Sequence, residues 1–316
     1  AGLRILNISD PSHPYEVGFY DAPYGTWNAT QLVVVGSYAY IADPYNSLRI
    51  LDVSDPSSPN QVSLYQTSQF IYGVAISGNY AYLSKDNGLE VVDISNPSNP
   101  SLVTLLGEGK GRDLVVVGNY AYIVDAMFFT DYGWLRVVDI SDPAHPKFIK
   151  SYNADGQGRS VAVVGNYAYL ANGWSGLRIF NVADPANASE VSLFDTPGFA
   201  SGIAISGNYA YIADETGGLR VINVANRSSP SEVAFYETTS DARGIEVVGN
   251  FAYIASGVTG LQIIDVADAA NPIQIGQDNT PRYAHDIAIA GDHACIAVGN
   301  GGGLRVMDIA DPSSPS

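Results

Sequence analysis

The phrase "GLRILNISDPSHP" at residues 2–14 returns as "GLRVMDIADPSSP" at residues 303–315, with six further copies between them. Its leucine stands at Leu3, Leu48, Leu89, Leu135, Leu177, Leu219, Leu261 and Leu304, a period of 41 to 46 residues. A second phrase, typified by "LVVVGNYAYIVD" (114–125), recurs with its glycine at Gly36, Gly78, Gly118, Gly165, Gly207, Gly249 and Gly291. A third, of the type "SEVSLFDT" (189–196), follows each of the first seven copies of the opening phrase. A chain written this way must fold as a stack of one unit.

Each phrase reads as a strand. "LVVVG" is a short apolar, β-branched run of the kind buried on both faces. "NYAYIAD" (208–214) alternates aromatic residues with alanine, and the Gly-Asn between these two runs is a two-residue hairpin signal. "GLRVI" ends in a turn such as "SDPSSP" (54–59), where Asp, Pro and Ser break the pattern. Four short antiparallel strands in about 42 residues match the unit of a propeller. In chain order within a unit they are strands A ("LVVVG"), B ("NYAYIAD"), C ("GLRVI") and D ("SEVSLF"), A being innermost. The expectation is a single all-β domain over residues 1–316, a seven-bladed β-propeller of four-stranded antiparallel blades. Residues 1–22 complete the last blade, so strands from both termini close the ring. There are eight C phrases for seven blades, which leaves one C strand surplus.

The stretch "GRSVAVVGNYAYLANGWSGLRIFNVADP" (158–185) and its counterparts resemble the LVIVD-repeat family of secreted and cell-surface propellers. The likeness covers essentially the whole chain, and WD40 and kelch repeats are poorer matches. It implies an extracellular location and a part in adhesion or surface architecture. It brings no shared catalytic residues.

Composition narrows the partners. The chain carries 32 Asp and Glu against 15 Lys and Arg, a net charge of −17. Nucleic acid and anionic lipid are thereby disfavoured, since both need clustered cations. No run approaches the roughly 20 apolar residues that cross a bilayer, so membrane insertion is not expected. The single cysteine, Cys295, rules out an internal disulfide or a thiolate cage for metal.

Six residues before each hairpin glycine lies a ring of equivalent positions: Thr30, Tyr72, Arg112, Arg159, Ser201, Arg243 and His285. With A innermost, they surround one mouth of the central channel. Three arginines and a histidine there fit a ligand-binding site for an anion or a glycan carboxylate. The plainer alternative pairs each arginine with a neighbouring carboxylate such as Asp113 or Asp286. Strand C ends in Asn7, Asp52, Asp93, Asp139, Asn181, Asn223, Asp265 and Asp308. These residues suit Asx turns, and Ca²⁺ is the one cofactor such oxygens could take. In "DHACIAV" (292–298), His293 and Cys295 replace the Tyr pair (Phe251 and Tyr253 in one unit) of the other units; a drifted closing blade explains this more simply than a Cys–His nucleophile.

No catalytic motif is present, so no enzyme is expected. "AMFFTDYGW" (126–134) is the one markedly longer loop, and Phe128, Phe129, Tyr132 and Trp134 give it an adhesive look. The sequons at Asn7, Asn28, Asn187 and Asn226 are candidate glycosylation sites. Two functions follow. One is a non-enzymatic surface scaffold or adhesion protein, self-associating or binding other surface proteins and glycans, with the surplus C strand as a link into filaments. The other is a carbohydrate- or anion-binding module, with enzymatic variants conceivable, centred on the channel mouth.

Overall fold

Among the described residues all the regular structure is β, apart from one short 3₁₀ turn at Pro185–Asn187. The computed structural model describes residues 2–7, 15–21, 31–43, 47–107, 109–126, 132–279, 283–291, 293–298 and 303–308. Six four-stranded antiparallel blades run in chain order: blade 1 (31–66), blade 2 (71–106), blade 3 (111–153), blade 4 (160–194), blade 5 (202–236) and blade 6 (242–279). Their A strands touch in sequence around a circle, which closes from Ala284–Ala290 back to Gln31–Val35. The protein is a β-propeller.

The reasons are local. All seven hairpin glycines adopt φ of 55° to 59°, the left-handed conformation the tight A–B turn demands. Tyr40, Tyr82, Tyr122, Tyr169, Tyr211 and Tyr253 are buried. Each apolar cluster spans one gap between neighbouring sheets. Tyr40, Leu48 and Ile50 of blade 1, for example, pack on Val74, Leu83 and Val92 of blade 2. The core is thus divided into inter-blade slabs, so each blade depends on its neighbours for burial.

The expected count needs correction. Six four-stranded antiparallel blades form, not seven; the ring is closed by a five-stranded sheet. That sheet runs in the order Tyr15–Asp21, Gly2–Asn7, Gly303–Asp308, His293–Val298, Ala284–Ala290. The surplus C strand has a place within its own molecule. Gly2–Asn7 pairs with Tyr15–Asp21 in the C–D register of blade 1: Leu3 lies opposite Tyr20 as Leu48 lies opposite Tyr65, with a bulge at the same point. Its free edge then meets Gly303–Asp308, which is hydrogen-bonded to strand B on its other side. Two C strands point the same way, so they meet in parallel, with Gly2 opposite Gly303. Tyr20 fastens the hairpin to blade 1 by donating from its hydroxyl to Gln61 Oε1 at 2.8 Å.

Candidate functional site

The start of each A strand delivers its residue to one mouth of the channel, and β-bulges do the aiming. In blades 2, 3 and 6 and in the closing sheet, the register slips across Tyr72, Arg112, Arg243 and His285. Each is the extra residue of a bulge, re-aimed out of the ladder. Arg159 and Ser201 sit one residue ahead of their strands, held by N–H bonds to the carbonyls of Ala171 (2.9 Å) and Ala213 (2.8 Å). These six residues line one cavity of about 130 Å³, with Asp113, Asp286 and Gln31 among the residues below them. Thr30 lies outside the described residues.

The arginines are not held alike. Arg243 donates from Nε to the Tyr283 hydroxyl (3.0 Å) and forms ion pairs with Glu215 and Asp241, both at 3.5 Å. These carboxylates come from loops, so the expected pairing with Asp286 is not made. Arg112 lies 4.4 Å over the Tyr72 ring, whose hydroxyl donates to Asp86 at 3.2 Å. Arg159 stacks 4.8 Å over Phe199 and donates from Nη2 to Gln157 Oε1 at 3.1 Å. Its Nε is buried without a partner, and no described carboxylate lies within ion-pair distance. Burial, together with repulsion from Arg112 and Arg243, pushes its pKa down. His285 is held to about 4 by burial and by Arg243, so it is neutral at neutral pH.

Beneath the ring, Gln31, Asp113 and Asp286 at the next position of their A strands tie blade to blade. Val74 N–H donates to Gln31 Oε1 (2.6 Å), Val161 N–H donates to Asp113 Oδ2 (3.0 Å), and Gln31 Nε2 donates to Asp113 Oδ1 (2.7 Å). Asp286 accepts from the backbone of Leu32 and Ile287. At the equivalent place in blade 6 stands Gly244, where a Cβ would come within 2.7 Å of Asp286 Cα. One level lower, Glu246 accepts from Ile289 N–H at 2.7 Å. Nothing in the sequence singled out Glu246, although Val or Ala fills that place in every other A strand. Asp113, Glu246 and Asp286 line a channel of about 540 Å³ whose remaining walls are mostly apolar. Burial raises all three, Asp286 to about 7 and Glu246 to about 6.

The other candidates resolve into structure. Asp52, Asp93, Asp139, Asn181, Asn223 and Asp265 each accept from the N–H two residues on, at 2.8 to 2.9 Å. These are Asx turns. Among the described residues no group of three or more His, Cys, Asp or Glu is arranged to hold a metal. Cys295 is buried against Leu32, Ala39 and Leu51 of blade 1, and burial drives its thiol up to about 12. It sits in the core, where burial disfavours the thiolate that a nucleophile needs. Asn187 and Asn226 are exposed in C–D turns, on the face opposite the mouth. The side chain of Asn7, and Asn28, Phe128 and Phe129, lie outside the described residues, whereas Tyr132 is exposed.

Solved structures share the fold. A functionally unknown protein from Desulfotomaculum acetoxidans has a TM-score of 0.74 at 13% identity, over 87% of this chain and 93% of that one. The computationally designed Ika8 protein gives 0.69 at 11%, over 91% and 86%. BamB from Moraxella catarrhalis gives 0.61 at 14%, over 95% and 89%. No curated protein matches the chain in sequence. The LVIVD repeat matches residues 1–22, 28–67, 72–105, 108–154, 155–196, 197–238, 240–280 and 281–316, so the chain belongs to the LVIVD-repeat family.

Proposed function

We propose that this protein is a non-enzymatic, extracellular binding propeller that takes a small anionic group at its channel mouth. Arg159 carries the reading. It is a cation with a buried, unpartnered N–H and, among the described residues, no carboxylate within ion-pair distance, in a cavity it shares with two further arginines. An anion seated there supplies the missing acceptor and offsets the repulsion among the three guanidinium groups. The carboxyls below are engaged with backbone N–H groups, which suits a structural floor better than a reactive pair. Calorimetric titration with acetate and with inorganic phosphate tests the reading, with Arg159→Gln as control. Saturable binding abolished by the substitution supports it. Absence of binding, or binding indifferent to Arg159, refutes it.

A second reading, self-assembly of a surface scaffold or adhesion protein through an exchanged strand, rests on the N-terminal hairpin. Gly2–Asn7 and Tyr15–Asp21 form a complete C–D unit, joined to the rest of the closing sheet by the pairing of Gly2 with Gly303. The same unit docked on a neighbour's terminal strand makes a head-to-tail contact. Deleting residues 1–9 and comparing mass in solution decides it: intact and truncated chains both monomeric at high concentration would end this reading. Glycans on Asn187 and Asn226 would project from the opposite face and leave the mouth clear.

A further inference from the structure

Trp174 stands on the rim of the same mouth, and the anion site as described gives it no task. It tips the tight loop between strands B and C of blade 4, where Gly173 and Gly176 take φ of 60° and 65°, and it is 65% exposed. Its indole meets Phe199 edge-on, with ring centres 5.3 Å apart and an interplanar angle of 80°. Phe199, itself buried, carries the Arg159 guanidinium on its ring. Gly173 and Ala200 exchange two backbone hydrogen bonds of 3.0 Å, which lock the loop bearing Trp174 to the segment bearing Phe199. An exposed indole, a buried phenyl ring and a guanidinium with an unpartnered Nε–H thus form one stack leading from the surface into the cavity.

Resting on the anion-binding reading above, we infer that the occupant is an acidic sugar, its carboxylate clasped by Arg159 and its ring laid on Trp174. Charge argues for a single carboxylate over phosphate. Arg243 is already neutralised by Glu215 and Asp241, whereas Arg159 has no described carboxylate within ion-pair distance. A dianion would bring its second charge toward Asp113 and Asp286 in the floor, two acids whose own ionisation burial already opposes. The guanidinium fork matches a carboxylate in two parallel bonds. Beside it, an exposed indole offers a flat apolar face edged by polar groups, and a pyranose presents the complementary C–H face with hydroxyls around it. Because the stack is formed before binding, little ordering cost offsets the contact.

Calorimetry and tryptophan fluorescence with five probes test the inference: a glucuronate-bearing oligosaccharide, its methyl ester, a neutral glucose oligosaccharide, acetate and inorganic phosphate. The acidic oligosaccharide should bind roughly tenfold or more tightly than acetate, and the ester should lose that advantage. Trp174→Ala, at an exposed site that does not endanger folding, should weaken the acidic sugar about tenfold and leave acetate unchanged. If the sugar binds no better than acetate, if phosphate binds better, or if Trp174→Ala changes nothing, the inference is overturned while anion binding stands. If acetate, phosphate and the acidic sugar all fail to bind, the anion-binding reading falls and this inference falls with it.

Discussion

Replacing Asp286 by Asn should stabilise the protein at alkaline pH and flatten its dependence on pH. The Asp286 carboxyl sits in the throat where the closing sheet meets blade 1, keeping a little surface toward the channel and enclosed on its other sides. Burial and the charges of Asp113 and Glu246 push it up to about 7, against the N–H groups of Ile287 and Leu32, which favour the ionised form. Tyr72, Arg112, Arg159, Arg243 and His285 are the other charged or titratable groups lining the cavity above it. A folded-state value above the unfolded one means that the fold favours the protonated acid. The stabilisation is therefore complete below about pH 4 and is lost as pH rises through 7. A displacement from 3.8 to about 7 corresponds to on the order of 4 kcal/mol. Asparagine keeps an acceptor for Leu32 N–H and carries no charge. The variant should accordingly gain about 2–4 kcal/mol at pH 8 and almost nothing at pH 4. Urea unfolding at pH 4.5, 6 and 8 reads the difference. If Asp286→Asn is no more stable than the parent at pH 8 and keeps the same slope, the carboxylate is not held against its charge and the reasoning fails.

The ion pair of Lys85 and Glu90 is fully buried and accepts a further bond from the Tyr65 hydroxyl at 3.0 Å; Lys85→Met should cost about 3–5 kcal/mol, and adding Glu90→Leu should return most of it in denaturant titration. Cys295 should resist thiol reagents until the protein unfolds. Cys295→Tyr restores the side chain used by the six blades, beside a cavity of about 170 Å³, and should add about 1–2 kcal/mol; a lower melting temperature would mean that the seam is already full. Asn181→Ala should cost about 1 kcal/mol through loss of its turn, while Asp139→Asn and treatment with EDTA should leave the melting temperature unchanged.

Much of this molecule is legible in its sequence because one unit is written repeatedly. The hairpin glycines, the buried tyrosines and the Asx turns follow from residue type at a fixed place in the period. The mouth was legible too, since counting back from each glycine assembles Tyr72, Arg112, Arg159, Ser201, Arg243 and His285. What escaped depends on contacts between units. Sequence gives residues 2–7 and 303–308 equal claim to one slot; the structure admits both, because each offers the other a free edge of the same direction. The Trp174–Phe199 contact joins two loops of ordinary length from consecutive repeats, and neither is unusual alone. The Lys85–Glu90 pair did leave a trace. Its signs are reversed relative to Asp125–Arg136 and Asp214–Arg220, which occupy the same places in blades 3 and 5.

The closing sheet sets an order of events during synthesis. Gly2 pairs with Gly303, so the strand Gly2–Asn7 waits for one made about 300 residues later before its second edge is covered. At about 5–20 residues per second, that wait is roughly 15–60 s. Throughout it, the N-terminal hairpin presents an open ladder to any passing chain, and blade 1 lacks the neighbour that buries Leu32 and Leu51. The interval in which this hairpin is most exposed to aggregation is therefore measured by translation speed, and slowing the ribosome between residues 22 and 303 should reduce the soluble yield more than the same slowing after residue 308.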